Sequence, residues 1–252
     1  PNETALQTGL GGTITWSHAQ FSSLSVIPAT ATLSYTARID PSTGAGQDYV
    51  NTARVTGYTL PSTLADATTR RGDRTASASE TIVATTAAID KGVRVSGSTE
   101  AYAATASAPI GQTMEYKVDV TLRPNINYYD VRIDDVLPAG VQLQTTSISG
   151  PTVSPADAAI NNPANWTRSS VSGTTQRWTY TGNGGDIEAS SSVRTLTLTY
   201  NVLLTDTVAA DTVRLWNTAY FNWATTNGGL TRNSVNDPAE VAVLNPPLQI
   251  AK

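Results

Sequence analysis

The chain has 252 residues, no cysteine and a formal net charge of −4. Its length suits one large domain or two ordinary ones, and a hydrophobic content of 39% is enough to bury a core. The lack of cysteine excludes a disulfide framework and cysteine-based zinc sites, and the weakly acidic charge argues against a nucleic-acid partner. No apolar stretch is long enough to insert into a membrane and the first ten residues are not a signal peptide, so we expect any export signal or anchor to lie outside this sequence.

The first part of the chain repeats the last part at an offset of about 160 residues. Three pairs of segments match: Thr32–Tyr35 with Thr197–Tyr200, Tyr49–Val55 with Leu215–Phe221, and Ala88–Lys91 with Gln249–Lys252. We therefore predict that residues 1–86 are the C-terminal half of one β-sandwich repeat. Residues 87–247 are then a complete repeat, and residues 248–252 the first strand of the next.

The predicted opening strand of the complete repeat carries a lysine at an apolar position. Side chains of a strand alternate between its two faces, and Lys91 is in phase with Ile89, Val93 and Val95. Lys252 has the same place in the next repeat, although the chain has only three lysines. We expect Lys91 to lie inside the core. The competing interpretation is that its amine extends from the strand end to water.

Strands with strict alternation of apolar and polar residues follow. Met114–Arg123 and Leu196–Leu204 each place their apolar residues on one face, which is typical of half-solvated antiparallel sheets. Between them, Leu137–Gly140 predicts a turn, and residues 149–172 predict a long loop region with at most a short helix over residues 156–161. Several short strands with polar connections favour an all-β fold with two packed sheets.

Two more polar side chains fall on the apolar side of predicted strands. Asp135 is in phase with Val131 and Ile133, and Asn217 is in phase with Phe221. A buried polar group needs a partner, because leaving it unpaired costs about 1–3 kcal/mol. The sequence therefore predicts that this carboxyl, this amide and the lysine share the core side of three strands.

Such a cluster can react with itself. Burial weakens the preference of a lysine for its charged form and that of an aspartate for its anion, and a neutral amine is a nucleophile. Lys91 would attack the side-chain amide of Asn217 and expel ammonia, with Asp135 relaying protons. We expect this one self-reaction and no enzymatic turnover, cofactor or metal.

The motifs around these residues resemble a known family. The lysine of Ile89–Val93, the aspartate of Val131–Gly140 and the asparagine of Leu215–Phe221 are similar to the signature of fimbrial isopeptide-forming domains of bacterial pili. They also resemble the related DUF-eleven repeats of bacterial surface proteins. The similarity covers residues 87–247 and the half-repeat before them.

The resemblance implies tandem immunoglobulin-like (prealbumin-like) β-sandwiches and an isopeptide bond between Lys91 and Asn217, promoted by Asp135. It also implies a stalk module of an extracellular adhesin or fibre on a bacterial cell surface. Its partners would be neighbouring repeats, other copies of the fibre and a glycan or host-surface ligand. The sequence departs from the pattern in the acidic pair Asp134–Asp135, in which strand parity favours Asp135.

Three other interpretations stay open. The lysine, aspartate and asparagine would hold the same strands by hydrogen bonds alone if they do not react. Neighbouring chains would complete each other's half-domains by strand exchange. Finally, Trp216 has outward parity next to Tyr220, as in a carbohydrate-binding platform, whereas Trp223 is expected in the core.

Short motifs elsewhere carry less weight. Arg71–Asp73 reads as an integrin-type tripeptide, but such tripeptides recur by chance. Asn2–Thr4 and Asn165–Thr167 fit glycosylation acceptors. Asn183–Asp186 lacks the spacing of a calcium loop and predicts a hairpin turn. His18 is the only histidine and precedes the complete repeat, which excludes a Ser-His-Asp triad there.

Overall fold

The structure is a computed structural model that describes residues 44–57, 74–84, 86–208 and 214–244, together with positions 32, 34, 35 and 37. The chain divides into two units, Pro1–Asp40 and Pro41–Lys252, and every element below belongs to the second. Across the described ranges, no helix is long and apolar enough to cross a membrane.

The described part of the chain is nearly all-β, which confirms the predicted class. Its strands are, in chain order, β1 (Asp48–Gly57), β2 (Arg74–Val83), β3 (Ala88–Val95), β4 (Thr105–Pro109), β5 (Thr113–Leu122), β6 (Tyr129–Val136), β7 (Val141–Ser154), β8 (Trp166–Ser170), β9 (Thr175–Tyr180), β10 (Arg194–Leu204), β11 (Arg214–Ala224) and β12 (Arg232–Leu244). Two short 3-10 turns, Pro163–Asn165 and Gly182–Gly185, interrupt them.

The strands form three sheets. β1 and β2 pair as a hairpin, β3-β5-β10-β7 form a four-stranded sheet, and β4-β12-β11-β6-β9-β8 form a six-stranded sheet. Neighbouring strands are antiparallel except β12 and β4. The two larger sheets contribute their inner faces to one hydrophobic core, which makes a β-sandwich.

The core comes from the predicted alternation. Every second residue of β5, from Met114 to Leu122, is buried, and so is every second residue of β10, from Leu196 to Leu204. The two strands pair with Tyr116 opposite Tyr200, so their apolar faces merge into one surface. The tight turn at Leu137–Gly140 is also present, and Gly140 adopts the positive φ (+85°) that such a turn requires.

The prediction of a long loop over residues 149–172 was wrong in part. β7 extends to Ser154, β8 covers Trp166–Ser170, and Pro163–Asn165 forms a 3-10 turn. The pairing of β7 with β10 shifts register twice, between Thr197 and Asn201. Bulges of this kind break the two-residue period, which is why the part of β7 from residue 149 onward does not show a strand pattern.

Candidate functional site

A cluster of four polar side chains lies between the two sheets of the sandwich. Lys91 (β3) and Tyr200 (β10) come from the four-stranded sheet, and Asp135 (β6) and Asn217 (β11) come from the six-stranded sheet. Each of the four is at most 1% exposed. The structure thus brings the three residues singled out in the sequence into one site and adds a tyrosine to them.

Hydrogen bonds connect the four side chains in a line. Lys91 Nζ donates to Asp135 Oδ1 in a fully buried ion pair. Tyr200 donates its hydroxyl proton to Asp135 Oδ2, and Asn217 Nδ2 donates to the Tyr200 oxygen at 2.9 Å. A continuous path therefore runs from the lysine amine to the nitrogen of the carboxamide.

The carbonyl oxygen of Asn217 stands apart from this line. Oδ1 is buried, and no hydrogen-bond donor reaches it among the described residues. An unpaired buried oxygen lowers the free energy of unfolding by about 1–3 kcal/mol. The position of this side chain therefore does not satisfy all of its hydrogen-bonding groups.

Strand register explains how the site is assembled. Asp135 pairs with Ala219 of β11, and Asn217 lies two residues from Ala219, so the carboxyl and the amide point to the same face. Lys91 reaches them from the opposite sheet. Its backbone N–H donates to Asp237 Oδ2 of β12 at 2.7 Å, which fixes β3 against the six-stranded sheet next to the cluster.

Aromatic rings enclose the cluster and exclude water from it. Tyr116 and Tyr200 stack with their ring centroids 5.7 Å apart, and Trp178 stacks on Tyr200 at 6.0 Å. Lys91 Nζ lies 5.1 Å from the Tyr116 centroid and 5.8 Å from the Tyr200 centroid, within the range of a cation–π contact.

This environment shifts the protonation of the cluster. Burial lowers the pKa of Lys91 below its ordinary 10.5, and the charge of Asp135 opposes part of that shift. Burial, and then the charge of Asp135, raises the pKa of Tyr116 and raises the pKa of Tyr200 well above 10.0. Burial thus raises the fraction of Lys91 that is neutral, while the two phenols keep their protons.

The structure decides two points that the sequence left open. The Lys91 amine does not extend to water, because it is buried against Asp135. Asp134 faces away from the cluster and forms a bidentate pair with Arg177, at 2.6 and 2.8 Å. Only Asp135 of the acidic pair touches the lysine.

Sequence reasoning placed Tyr200 in the core but not in the site. The available signal was that Tyr116 and Tyr200 are hydroxyl-bearing residues in otherwise aliphatic stripes. A buried tyrosine usually finds a hydrogen-bond partner, so each hydroxyl marks a polar spot in the core.

The structure gives less support to the other candidate sites of the sequence analysis. Trp223 is a core residue, as expected, and Trp216 is 52% exposed beside the half-buried Tyr220. Asn183–Asp186 falls at a 3-10 turn, and no cluster of potential metal ligands occurs in the parts of the chain that the structure describes. Five further predictions, on Asn2, His18, Arg71–Asp73, residues 248–252 and Lys252, lie outside the described residues.

Fold and site together define an all-β sandwich with a buried, hydrogen-bonded Lys-Asp-Tyr-Asn cluster. No protein-family model matches the sequence, and no curated protein sequence matches it either.

Several pilus proteins are among the similar solved structures. They include a 35 kDa C-terminal fragment of the major pilin of Streptococcus agalactiae (14% identity, TM-score 0.45, 62% of this chain and 56% of that chain). The major pilin subunit of Bacillus cereus has 13% identity and a TM-score of 0.45, over 74% of this chain and 51% of that chain. The full-length pilus protein RrgB of Streptococcus pneumoniae has 16% identity and a TM-score of 0.46, over 59% of this chain and 24% of that chain. The chain therefore spans between 24% and 56% of these pilins, and similarity this low carries no argument about function.

Proposed function

We propose that this chain is a structural stalk module of a long, repetitive adhesin or fibre on a bacterial cell surface. Its complete sandwich, residues 87–247, is locked by an autocatalytic isopeptide bond between Lys91 and Asn217. The observation that carries the proposal is the buried line of contacts from the Lys91 amine through Asp135 and Tyr200 to the Asn217 amide.

The geometry supports a balanced reaction. The neutral Lys91 amine attacks Asn217 Cγ, so the Nζ–Cγ bond forms and the Cγ–Nδ2 bond breaks. Asp135, which contacts Nζ, accepts the proton that the amine loses. Tyr200, which bridges Asp135 and Nδ2, passes its proton to the departing nitrogen and takes up the proton held by Asp135, and ammonia leaves. No outside reagent is needed.

The low polarity of the site favours this reaction. Burial lowers the pKa of Lys91 and so raises the fraction of nucleophilic amine. The aromatic rings keep water from competing for the carboxamide. The unpaired, buried Oδ1 of Asn217 lowers the stability of the folded chain. A carboxamide that reacts with Lys91 explains why such a group lies there.

The repeat organisation supports the stalk role. The β1–β2 hairpin carries Asn51 opposite Glu80, and the β11–β12 hairpin carries Asn217 opposite Ala239 at the matching place in the sequence. We take residues 1–86 as the end of one tandem immunoglobulin-like module and residues 248–252 as the start of the next. Only a short connection separates β2, which ends at Val83, from β3, which begins at Ala88. Such a joint favours a semi-rigid line of modules.

Intact-mass measurement of the denatured protein tests the proposal. We expect a mass one ammonia below that of the sequence, and a branched proteolytic peptide that joins Lys91 to Asn217. Lys91→Ala and Asn217→Ala should each restore the plain sequence mass. Lys117→Ala is the matched control, because Lys117 is partly exposed and pairs with Asp119 outside the cluster. A wild-type mass equal to that of the sequence contradicts the bond and leaves a cluster held by hydrogen bonds alone.

A further inference from the structure

A row of three paired residues crosses the inner face of the six-stranded sheet beside the buried cluster. Ala219 of β11 pairs with Asp135 of β6 on one side and with Asp237 of β12 on the other. Residues directly opposite each other in antiparallel strands project from the same face, and Ala219 is fully buried. Asp237 therefore points to the same side of the sheet as Asp135, and the small side chain of Ala219 separates the two carboxylates.

The two carboxylates hold the two ends of one lysine. Asp135 Oδ1 accepts a hydrogen bond from the Lys91 amine, and Asp237 Oδ2 accepts one from the Lys91 backbone N–H at 2.7 Å. Asp237 thus joins β12 of one sheet to β3 of the other, at the residue whose amine enters the site.

β3 needs such a contact because it is an edge strand of the four-stranded sheet. In its antiparallel pairing with β5, the N–H of every second residue points away from β5. At Val93 this free edge donates to Ala103 O at 2.8 Å, and two residues earlier, at Lys91, it donates to Asp237. The Asp237 carboxylate therefore satisfies a donor that the sheet itself leaves unpaired.

Asp237 contributes position rather than charge to the reacting amine. Burial lowers the pKa of Lys91, and among the charges that oppose this shift Asp135 acts most and Asp237 least. A charge that keeps the amine protonated works against its attack on an amide, since only the neutral form is a nucleophile. The hydrogen bond works in favour of the attack, because a displacement of about 1 Å can slow a reaction about a hundredfold.

We propose that, given the isopeptide bond proposed above, Asp237 is a positioning residue for its formation, which holds the β3 backbone where the Lys91 amine meets Asp135 and the Asn217 carboxamide. Asp237 acts through the backbone of Lys91 and not through a reacting atom. The bond then depends on two carboxylates of one cross-strand row, one at the amine and one at the backbone of the same lysine.

Timed intact-mass measurement of the full chain, made by cell-free translation, gives the rate of ammonia loss. Asp237→Ala should lose ammonia about tenfold more slowly than the wild type, or more slowly still, because the amine is then less often in place. Asp237→Asn should rescue the rate to within about twofold, because its amide oxygen accepts the same hydrogen bond. Alanine is compatible with the strand, since the β1–β2 hairpin has Ala78 opposite Ala53 at the matching place in the sequence.

Asp119→Ala is the matched control. Asp119 is also a half-buried carboxylate that accepts a 2.7 Å hydrogen bond, from Thr197 Oγ1, but it lies on the outer face of β5. This variant should react at the wild-type rate. Hydrogen exchange in the Asn217→Ala background, in which no bond forms, should become faster at the Lys91 amide in Asp237→Ala but not in Asp237→Asn. Slow exchange in β5 of both variants shows that they are folded.

Each other outcome overturns a defined part of the proposal. Equal rates in Asp237→Ala and the wild type, or equal exchange at the Lys91 amide, overturn the positioning role and leave the bond in place. Equal slowing in Asp237→Asn and Asp237→Ala, or slowing in Asp119→Ala, also overturns it, because the hydrogen bond is then not the cause. A wild-type chain that keeps the full mass of its sequence overturns the bond itself, and the role of Asp237 in forming it falls as well.

Discussion

Two adjacent aspartates of β6 have opposite environments, and this contrast isolates the role of Asp135. Asp135 is buried between Lys91 and Tyr200, whereas Asp134 lies on the outer face and pairs with the partly exposed Arg177. A change of one carboxyl to an amide therefore removes the proposed proton relay at one position and a surface ion pair at the next.

We predict that Asp135→Asn abolishes ammonia loss. In the Asn217→Ala background, which cannot form the bond, it should lower the free energy of unfolding by about 3–5 kcal/mol, the cost of a buried charge pair that loses one partner. Asp134→Asn should keep the cross-link and cost at most about 1 kcal/mol, as exposed pairs do. Intact mass and chemical denaturation measure both effects. Full ammonia loss in Asp135→Asn would show that this carboxyl is not needed for the reaction.

The protonation of Lys91 predicts a pH dependence. The Asn217→Ala protein keeps the amine but has no amide to attack, so Lys91 can be titrated in it. Burial lowers the pKa of Lys91 in the folded state below its ordinary 10.5. Between these two pKa values the unfolded chain binds more protons than the folded one, so the free energy of unfolding rises with pH.

We expect this rise to reach at most about 1.4 kcal/mol per pH unit. It should hold up to about pH 10, where the unfolded tyrosines begin to ionise and reverse the slope because burial raises the pKa of Tyr200. Denaturant titrations at several pH values check it. The double variant Lys91→Met/Asn217→Ala is the reference and should lack the rise. A flat or falling difference between the two proteins contradicts the shifted amine.

The sequence predicted most of this site because strand parity is a simple rule. Lys91, Asp135 and Asn217 each interrupt an apolar stripe with a polar or charged side chain, and the structure buries all three. The sequence did not mark Tyr200 as a site residue in the same way, because tyrosine occurs both in apolar cores and in polar sites. The role of Tyr200 depends on its contacts with residues of the opposite sheet, and the sequence of one strand does not predict those contacts.

Among the elements, the turn before β1 determines how the β1–β2 hairpin is attached to the sandwich. The Ala45 N–H donates to Asn127 O at 3.0 Å, and Trp223 Nε1 donates to Ala45 O at 2.8 Å. Gly44 packs so closely that a Cβ atom there would lie 1.7 Å from the backbone oxygen of Thr225. The joint therefore requires glycine at this position for steric reasons.

Gly44→Ala should loosen this joint by about 1–3 kcal/mol, the usual cost of overpacking. Hydrogen exchange should then become faster at the amides of Ala45 and Gly46, which bond to Asn127 O and Ala84 O, and stay unchanged in β5. Gly173→Ala is the control, because a Cβ atom at Gly173 would meet nothing within 4 Å. Equal exchange in the two variants would mean that the turn does not hold the hairpin.

The strands differ in how well the sequence predicted them. β5 and β10 keep an unbroken two-residue period against each other, and both were predicted with correct faces. β7 pairs with β10 through two register shifts, and its last residues, 149–154, were assigned to a loop. A regular period reports burial on one face, whereas bulges and edge positions depend on the partner strand.

At the scale of the whole molecule, the proposed bond joins the first strand of the sandwich to its penultimate strand. β3 and β11 lie in different sheets, so the bond also ties the two sheets together. A cross-link from residue 91 to residue 217 restricts the unfolded chain and stabilises the sandwich by about 5 kcal/mol on the chain-entropy scale. That is a large share of the total of about 5–15 kcal/mol that is usual for a domain.

Pulling on the two ends of the chain should reveal the bond directly. Force that enters at β3 would pass through Lys91 and Asn217 into β11, so the residues between them would carry no load. The segment before Lys91, which contains β1 and β2, and the segment after Asn217, which contains β12, remain free to extend. Lys91→Ala or Asn217→Ala should therefore release about 430 Å of additional length, at roughly 3.4 Å per residue, in a single-molecule extension measurement. Lys117→Ala should extend like the wild type, because Lys117 lies outside the cluster. Release of the full length by the wild-type chain would leave the sandwich without a covalent path for force and would remove the physical basis of the stalk role.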